Sequence, residues 1–253
     1  MRYIKLPMDV AVTLLLWGYF ILGFFFCFAP FYMAAALKRT DREAAFQRLN
    51  FRFFRVFFRL LCRIAPGVTL NIRDEVRTIR SSVIVCNHLS YLDPILLISL
   101  FEKQKTIVRS DFFDRPVFGW ILRQSGYIPS QAKDEYASLM IQNIENIGEY
   151  LSSGGNVFIF PEGTRSRTGM LGPFNKGAFS IARRCRAPIQ CLMIRNTNRL
   201  FVPGRFWFNT CVPVAIEVEG IGVFDSDYGD PAFPLAALIG QIHSLYERRL
   251  AKG

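Results

Sequence analysis

The 28 residues from Val10 to Leu37 carry no charged side chain. As a helix this run would be about 42 Å long at 1.5 Å per residue, more than the ~30 Å hydrocarbon core of a bilayer requires. Pro30 lies inside it and has no backbone donor, so it is expected to bend the helix or end its first part. A cleaved signal peptide is the competing reading, because Arg2 and Lys5 precede the run and Ala34–Ala36 are small. Against it, the run exceeds an h-region of about 7–15 residues, and a basic segment follows at once. Lys38, Arg39, Arg42 and Arg48 outnumber Arg2 and Lys5. A spanning helix would therefore leave the rest of the chain on the cytoplasmic side, and a re-entrant one would leave both flanks there.

The charge distribution supports a membrane partner. The chain is 253 residues long with a formal net charge of +11, and residues 1–80 hold 13 Lys/Arg against 5 Asp/Glu. That excess predicts an anionic partner. It lies beside the most apolar part of the chain and not on a polar recognition surface, which favours phospholipid and argues against nucleic acid. Residues 41–64 read as a second helix in which Arg48, Arg52, Arg55, Arg59 and Arg63 form one stripe. Phe46, Phe53, Phe57, Leu60 and Ile64 form an apolar stripe on another side. Such a helix is expected to lie in the interface with its guanidinium groups at lipid phosphates; a solvated face above a protein core is the alternative.

Beyond Pro66-Gly67, strand and helix signals alternate. Ser82–Cys86 and Val157–Phe160 read as buried strands, as do Ile189–Ile194 and Val212–Val218. Helices are expected over Pro94–Phe101, Glu135–Ser152, Asn175–Arg186 and Leu235–Leu250. This alternation predicts an α/β fold around a largely parallel sheet. The six cysteines show no CxxC spacing and read as buried thiols, and two histidines leave no room for most His-based metal sites.

Two polar segments follow apolar strands, where open α/β sheets bind ligands. The first is Asn87-His88-Leu89-Ser90-Tyr91-Leu92-Asp93. A carboxylate five residues after a histidine can fix the imidazole tautomer, leaving His88 to take a proton from an attacking hydroxyl. Asp93 before Pro94 could equally be a helix N-cap. No GxSxG elbow occurs, so the attacking hydroxyl is expected to be the substrate's. The second segment, Phe160-Pro161-Glu162-Gly163-Thr164-Arg165-Ser166, offers a carboxylate, a flexible turn and a guanidinium suited to bidentate phosphate binding.

Asn87-His88 with Asp93 and Phe160–Ser166 resemble the NHxxxxD and FPEGTRS motifs of the lysophosphatidic acid acyltransferase-like family. The resemblance covers roughly residues 67–220. It implies a glycerolipid acyltransferase-like α/β domain over 67–253, preceded by membrane-anchoring helices over 1–66. It also implies acyl transfer from acyl-CoA or acyl-carrier protein to a lysophospholipid hydroxyl, most directly that of 1-acyl-sn-glycerol-3-phosphate, without metal or cofactor. His88 and Asp93 would be catalytic, and Glu162, Gly163, Thr164 and Arg165 would bind substrate. Lys176, in Phe174-Asn175-Lys176-Gly177-Ala178-Phe179, looks like the family's KGAF element, and Arg109 stands where a lysine is common.

The chain departs from the family at Gly126-Tyr127-Ile128-Pro129-Ser130-Gln131-Ala132-Lys133, where Gln131-Ala132 replaces an Asp-Arg pair and Lys133 follows. A different lysolipid or an amino-lipid alcohol is therefore a competing acceptor. A lipid hydrolase and a non-catalytic membrane-interface protein are the readings from other classes. The location implied is the cell (inner) membrane, with the catalytic part on its cytoplasmic face.

Overall fold

The computed structural model describes residues 2–131, 134–166, 169–228 and 233–251. The uncharged run and the residues just before it form helix α1 (Arg2–Gly18), a π-helical stretch (Tyr19–Phe28) and helix α2 (Ala29–Ala36). Pro30 neither ends nor breaks this rod: it occupies the first turn of α2, where its missing N–H is not needed. The wider π turn before it is closed by the Ala29 N–H donating to the Phe24 carbonyl.

Helix α3 (Arg42–Ile64) runs back along the rod, antiparallel to it. Phe20 packs on Phe57, Phe24 and Phe28 pack edge-on against Phe53, and Tyr32 packs on Phe46. The Tyr19 hydroxyl donates to the Phe53 carbonyl at 2.7 Å, and the Tyr32 hydroxyl to Asn50 Oδ1 at 2.6 Å. The five stripe arginines of α3, Arg48, Arg52, Arg55, Arg59 and Arg63, are exposed. Its apolar stripe, expected at a lipid interface, is instead covered by protein: Phe46, Phe53 and Phe57 are buried, the last two in the cluster that holds Leu92 and Leu96.

The remaining elements, in chain order, are β1 (Val68–Ile72), α4 (Asp74–Thr78), β2 (Val83–Cys86), α5 (Leu92–Ile98), β3 (Gln104–Val108), a 3₁₀ turn (Ser110–Phe112), α6 (Pro116–Gln124), β4 (Ile128–Pro129), α7 (Asp134–Glu145), α8 (Ile147–Ser152), β5 (Asn156–Ile159), α9 (Gly177–Cys185), β6 (Ile189–Arg195), α10 (Thr197–Leu200), β7 (Val214–Phe224) and α11 (Leu235–Leu250). The strands form one sheet in the order β1-β7-β6-β2-β5-β3-β4, parallel at every pairing except β6 with β7. The largely parallel α/β expectation therefore holds. The expected helix over 135–152 is two helices that meet at Asn146, and the last strand runs to Phe224.

Both faces of the sheet are covered, which is why β2 reads as unbroken Val83-Ile84-Val85-Cys86. Ile84 and Cys86 join the cluster beneath α3 and α5, while Val83 and Val85 join Phe179, Ile242 and Tyr246 of α9 and α11. A polar seam also ties α3 to the sheet. Lys105, almost fully buried, pairs with Glu43 at 3.0 Å and lies 4.6 Å from the centre of the Tyr150 ring. Gln47 donates to the Ser125 carbonyl and Asn50 to Ser125 Oγ. The composition changes at residue 66, but in packing α3 belongs with the sheet.

Candidate functional site

β2 and β5 are parallel neighbours with Val85 opposite Ile159, so their carboxyl ends deliver the two polar segments side by side. The two segments are joined directly. The Ser166 N–H donates to the His88 carbonyl at 2.8 Å, and the His88 N–H donates to Glu162 Oε1 at 3.0 Å. The imidazole of His88 stacks on Phe160 with centroids 4.2 Å apart.

His88 Nδ1 lies 2.9 Å from Asp93 Oδ2. The same oxygen accepts the N–H groups of Leu89 at 2.6 Å and Ser90 at 2.7 Å, and Oδ1 accepts the Thr197 hydroxyl at 2.5 Å. Asp93 is completely buried and sits in the first turn of α5. Its carboxylate turns back into the preceding loop, so the N-cap alternative is replaced by a loop-closing role. Three other donors hold it as an acceptor, so in the neutral imidazole the Nδ1 that faces it carries the proton and Nε2 keeps its lone pair.

Asn87 anchors the base of this turn. Its amide donates to the Ile194 carbonyl at 2.9 Å and accepts the Ile194 N–H at 2.8 Å, extending β2 toward β6 through a side chain. Thr197 lies just beyond β6, after Asn196 in the left-handed region at φ +66°. Sequence reasoning missed Thr197, although the polar run Asn196-Thr197-Asn198 also closes a buried strand beside β2 and was the available signal.

In the second segment, Glu162 is buried and both its oxygens are occupied by backbone. Oε1 takes the His88 N–H and Oε2 takes the Gly172 N–H at 3.0 Å. It braces the two loops together. The Gly172 carbonyl lies 3.2 Å from His243 Nε2, so α11 supports the same loop. Gly163 has φ +68°, and a Cβ there would come within 3.0 Å of Asn175 Nδ2, so the turn requires glycine. Gly163 and Thr164 are exposed.

Arg165 lies with its guanidinium carbon 3.4 Å from the centre of the Tyr91 ring. Its Nη1 is buried and has no hydrogen-bond partner among the described residues. A guanidinium nitrogen left this way keeps spare donor capacity. The other expected cations are arranged differently. Arg109 is 71% exposed on its side chain and is held by Asp111, with bonds of 3.1 and 2.8 Å. Lys176 is exposed and precedes α9, next to Asn175, whose N–H donates to the Pro161 carbonyl just beyond β5 at 2.8 Å. Lys133 lies outside the described residues. Gln131 is exposed, with its backbone N–H and carbonyl both on the Ser110 hydroxyl at 3.1 Å.

Residues 67–195 match a family described as Acyltransferase. A chloroplastic 1-acyl-sn-glycerol-3-phosphate acyltransferase of Brassica napus is 37% identical over 122 residues, 48% of this chain and 35% of that one. The chain thus spans about a third of the plant relatives it matches first. A 1-acyl-sn-glycerol-3-phosphate acyltransferase of Pseudomonas aeruginosa is 30% identical over 179 residues, 64% of this chain and 67% of its own. The crystal structure of the 1-acyl-sn-glycerophosphate acyltransferase PlsC from Thermotoga maritima superposes with a TM-score of 0.70, covering 100% of this chain and 98% of that one at 21% identity, which shows a shared fold. Together the family match, which covers both polar segments, and the bacterial relative show that the chain belongs to the acyltransferase family, among its lysophosphatidic acid acyltransferase-like members.

Proposed function

We propose that the protein transfers a fatty acyl group from the thioester of acyl-CoA or acyl-carrier protein to the free hydroxyl of a lysophospholipid, with 1-acyl-sn-glycerol-3-phosphate as acceptor. The observation that carries this reading is the His88–Asp93 pair set beside a buried guanidinium nitrogen that has no partner among the described residues. His88 Nε2 takes the hydroxyl proton while Asp93 stabilises the imidazolium. The acceptor oxygen attacks the thioester carbonyl, the C–S bond breaks, and the departing thiolate recovers the proton from His88. Arg165 holds the acceptor's phosphate, with Lys176 and Lys133 as further cations. Arg109 joins them only if the phosphate displaces Asp111. Glu162 acts on the acceptor through loop position, since its oxygens are already bonded. Gly163 and Thr164 form the exposed turn beside Arg165.

Residues 1–66 seat the enzyme on a phospholipid membrane, and 67–253 carry the reaction. The packing favours a re-entrant seat over a spanning one. One side of the 31-residue apolar rod lies on α3, while Leu15, Leu22, Phe25, Phe26 and Met33 remain exposed. If the rod crossed a bilayer in this packing, α3 would cross beside it with its arginines. Each would cost roughly 2.5–3.5 kcal/mol near the bilayer centre. Lying in one leaflet, the rod buries its exposed stripe and leaves the guanidinium groups among headgroups. Both flanks then face the cytoplasm, at the inner membrane in a bacterial cell.

The test is direct. The purified chain is offered acyl-CoA and acyl-carrier protein against a panel of lysophospholipids and amino-lipid alcohols, with products read by mass spectrometry. Phosphatidic acid formed from 1-acyl-sn-glycerol-3-phosphate is the expected product. Acylation of another acceptor alone would overturn the substrate assignment, and free fatty acid alone would mark a hydrolase.

A further inference from the structure

The loop between α10 and β7 is held by the first helix at several points. The Phe208 N–H donates to Thr13 Oγ1 at 3.0 Å. Asp9, buried in spite of its charge, accepts from the Thr210 N–H and hydroxyl, each at 2.7 Å, and from the Cys211 N–H at 3.2 Å. Phe206 stacks on Trp17 with centroids 5.5 Å apart and planes 7° from parallel, and Trp207 packs edge-on against Phe206. The loop is thus fixed in register with the turns of α1 from Asp9 to Trp17. Yet Phe206 is 53% and Trp207 43% exposed, beside Leu14 and Leu15, which are exposed on those same turns. Arg205, next to Phe206 in the chain, and Arg199 before it are also exposed.

We infer that this loop is a second membrane-contact element, with Phe206 and Trp207 entering the headgroup–acyl boundary of a phospholipid bilayer beside the first helix. The occupant is lipid, because the two aromatics continue the exposed apolar surface of the rod and carry arginines at their margin. Aromatic rings at the boundary with cations at the phosphate level match the layering of a bilayer surface. A protein partner would have to cover the rod's exposed stripe as well. The loop also reaches the catalytic turn: Ser90, between His88 and Asp93, donates its hydroxyl to the Phe201 carbonyl at 3.0 Å. Lipid contact at Trp207 therefore sets the His88–Asp93 turn against the bilayer surface, where a lysolipid acceptor resides.

This inference rests on the membrane seat proposed above, and the experiment separates the two. The chain has three tryptophans. With Trp17→Phe and Trp120→Phe, Trp207 alone reports. The full-length variant is reconstituted with vesicles of phosphatidylethanolamine and phosphatidylglycerol carrying lipids brominated near the headgroup end of the acyl chain. Trp207 emission should shift to the blue and be quenched by the brominated lipid but not by aqueous iodide. Iodide quenching without bromine quenching, in protein that floats with the vesicles, overturns the inference alone; so does cross-linking of two copies through position 207. Failure to float overturns the membrane seat and this inference with it. As a second arm, Trp207→Ser should lower turnover of vesicle-borne acceptor severalfold, because an aromatic ring at the headgroup level is lost. Turnover of a short-chain monomeric acceptor should be unchanged, and equal loss on both substrates would reject the proposal.

Discussion

At the scale of single residues, the site is a histidine whose tautomer is set by a carboxylate that is itself held by others. His88→Ala should reduce acyl transfer by roughly 10²–10⁴-fold with the fold intact, since that is the usual worth of a positioned base. Steady-state rates with circular dichroism as the folding control check this. Thr197 gives a finer test, because its hydroxyl is the only side-chain donor seen on Asp93 Oδ1 among the described residues. Thr197→Val removes that donor at nearly constant volume and leaves a buried carboxylate oxygen unpaired, at a cost of about 1–3 kcal/mol. The carboxylate is then held less firmly in line with Nδ1, so kcat should fall several-fold with little change in the KM for acceptor. Thr197→Ser should restore kcat, whereas a merely structural role would lower Tm without changing kcat in the folded protein. Arg165→Lys keeps the charge but loses the planar fork on Tyr91. The KM for acceptor should rise roughly 10- to 150-fold, as expected for the loss of a charged hydrogen bond, with little change for the acyl donor. Equal losses toward both substrates would make Arg165 structural.

At the scale of elements, the rod and α3 form a hairpin closed by aromatic rings. Phe53 stands at its centre, edge-on to Phe20, Phe24 and Phe28 and stacked on Tyr19. Phe53→Ala should cost about 3–5 kcal/mol, more than a lipid-facing phenylalanine would, because it opens a cavity between packed helices. Denaturation in detergent micelles measures this, and a near-neutral result would mean that the rod is not seated on α3. The two strand-end motifs were legible because each combines a short apolar run with polar residues immediately after it. β3 and β4 were not legible: Gln104-Lys105 opens β3, and the polar and charged groups there are buried only because α3 covers them. The polar partners on α3 lie 57 or more residues away in sequence from those on the sheet side, beyond the reach of any local pattern.

At the scale of the whole molecule, positive charge and apolar surface share the N-terminal side. Changing Arg48, Arg52, Arg55, Arg59 and Arg63 together to Gln should weaken binding to phosphatidylglycerol vesicles at about 1 kcal/mol per side chain near the surface. The native protein's preference for anionic over neutral vesicles should fade as salt shortens the screening length to below ~10 Å, while attachment through the rod persists. Vesicle flotation across lipid charge and salt measures both, and an unchanged preference in the five-fold variant would detach the arginine stripe from lipid binding.

The sequence by itself determined the apolar rod, the arginine stripe, the α/β alternation and the two polar segments at strand ends. Each is a relation among residues within one or two turns or a single strand, where periodicity and residue chemistry suffice. Tertiary structure alone decided what covers the phenylalanines of α3, that Glu162 braces two loops, that β7 runs antiparallel to β6, and that Thr197 completes the hold on Asp93 from 104 residues away. The reason is that a buried polar or apolar group must be satisfied by whatever the fold brings beside it. Chain crossings set that partner, and its identity is not written near the residue that needs it.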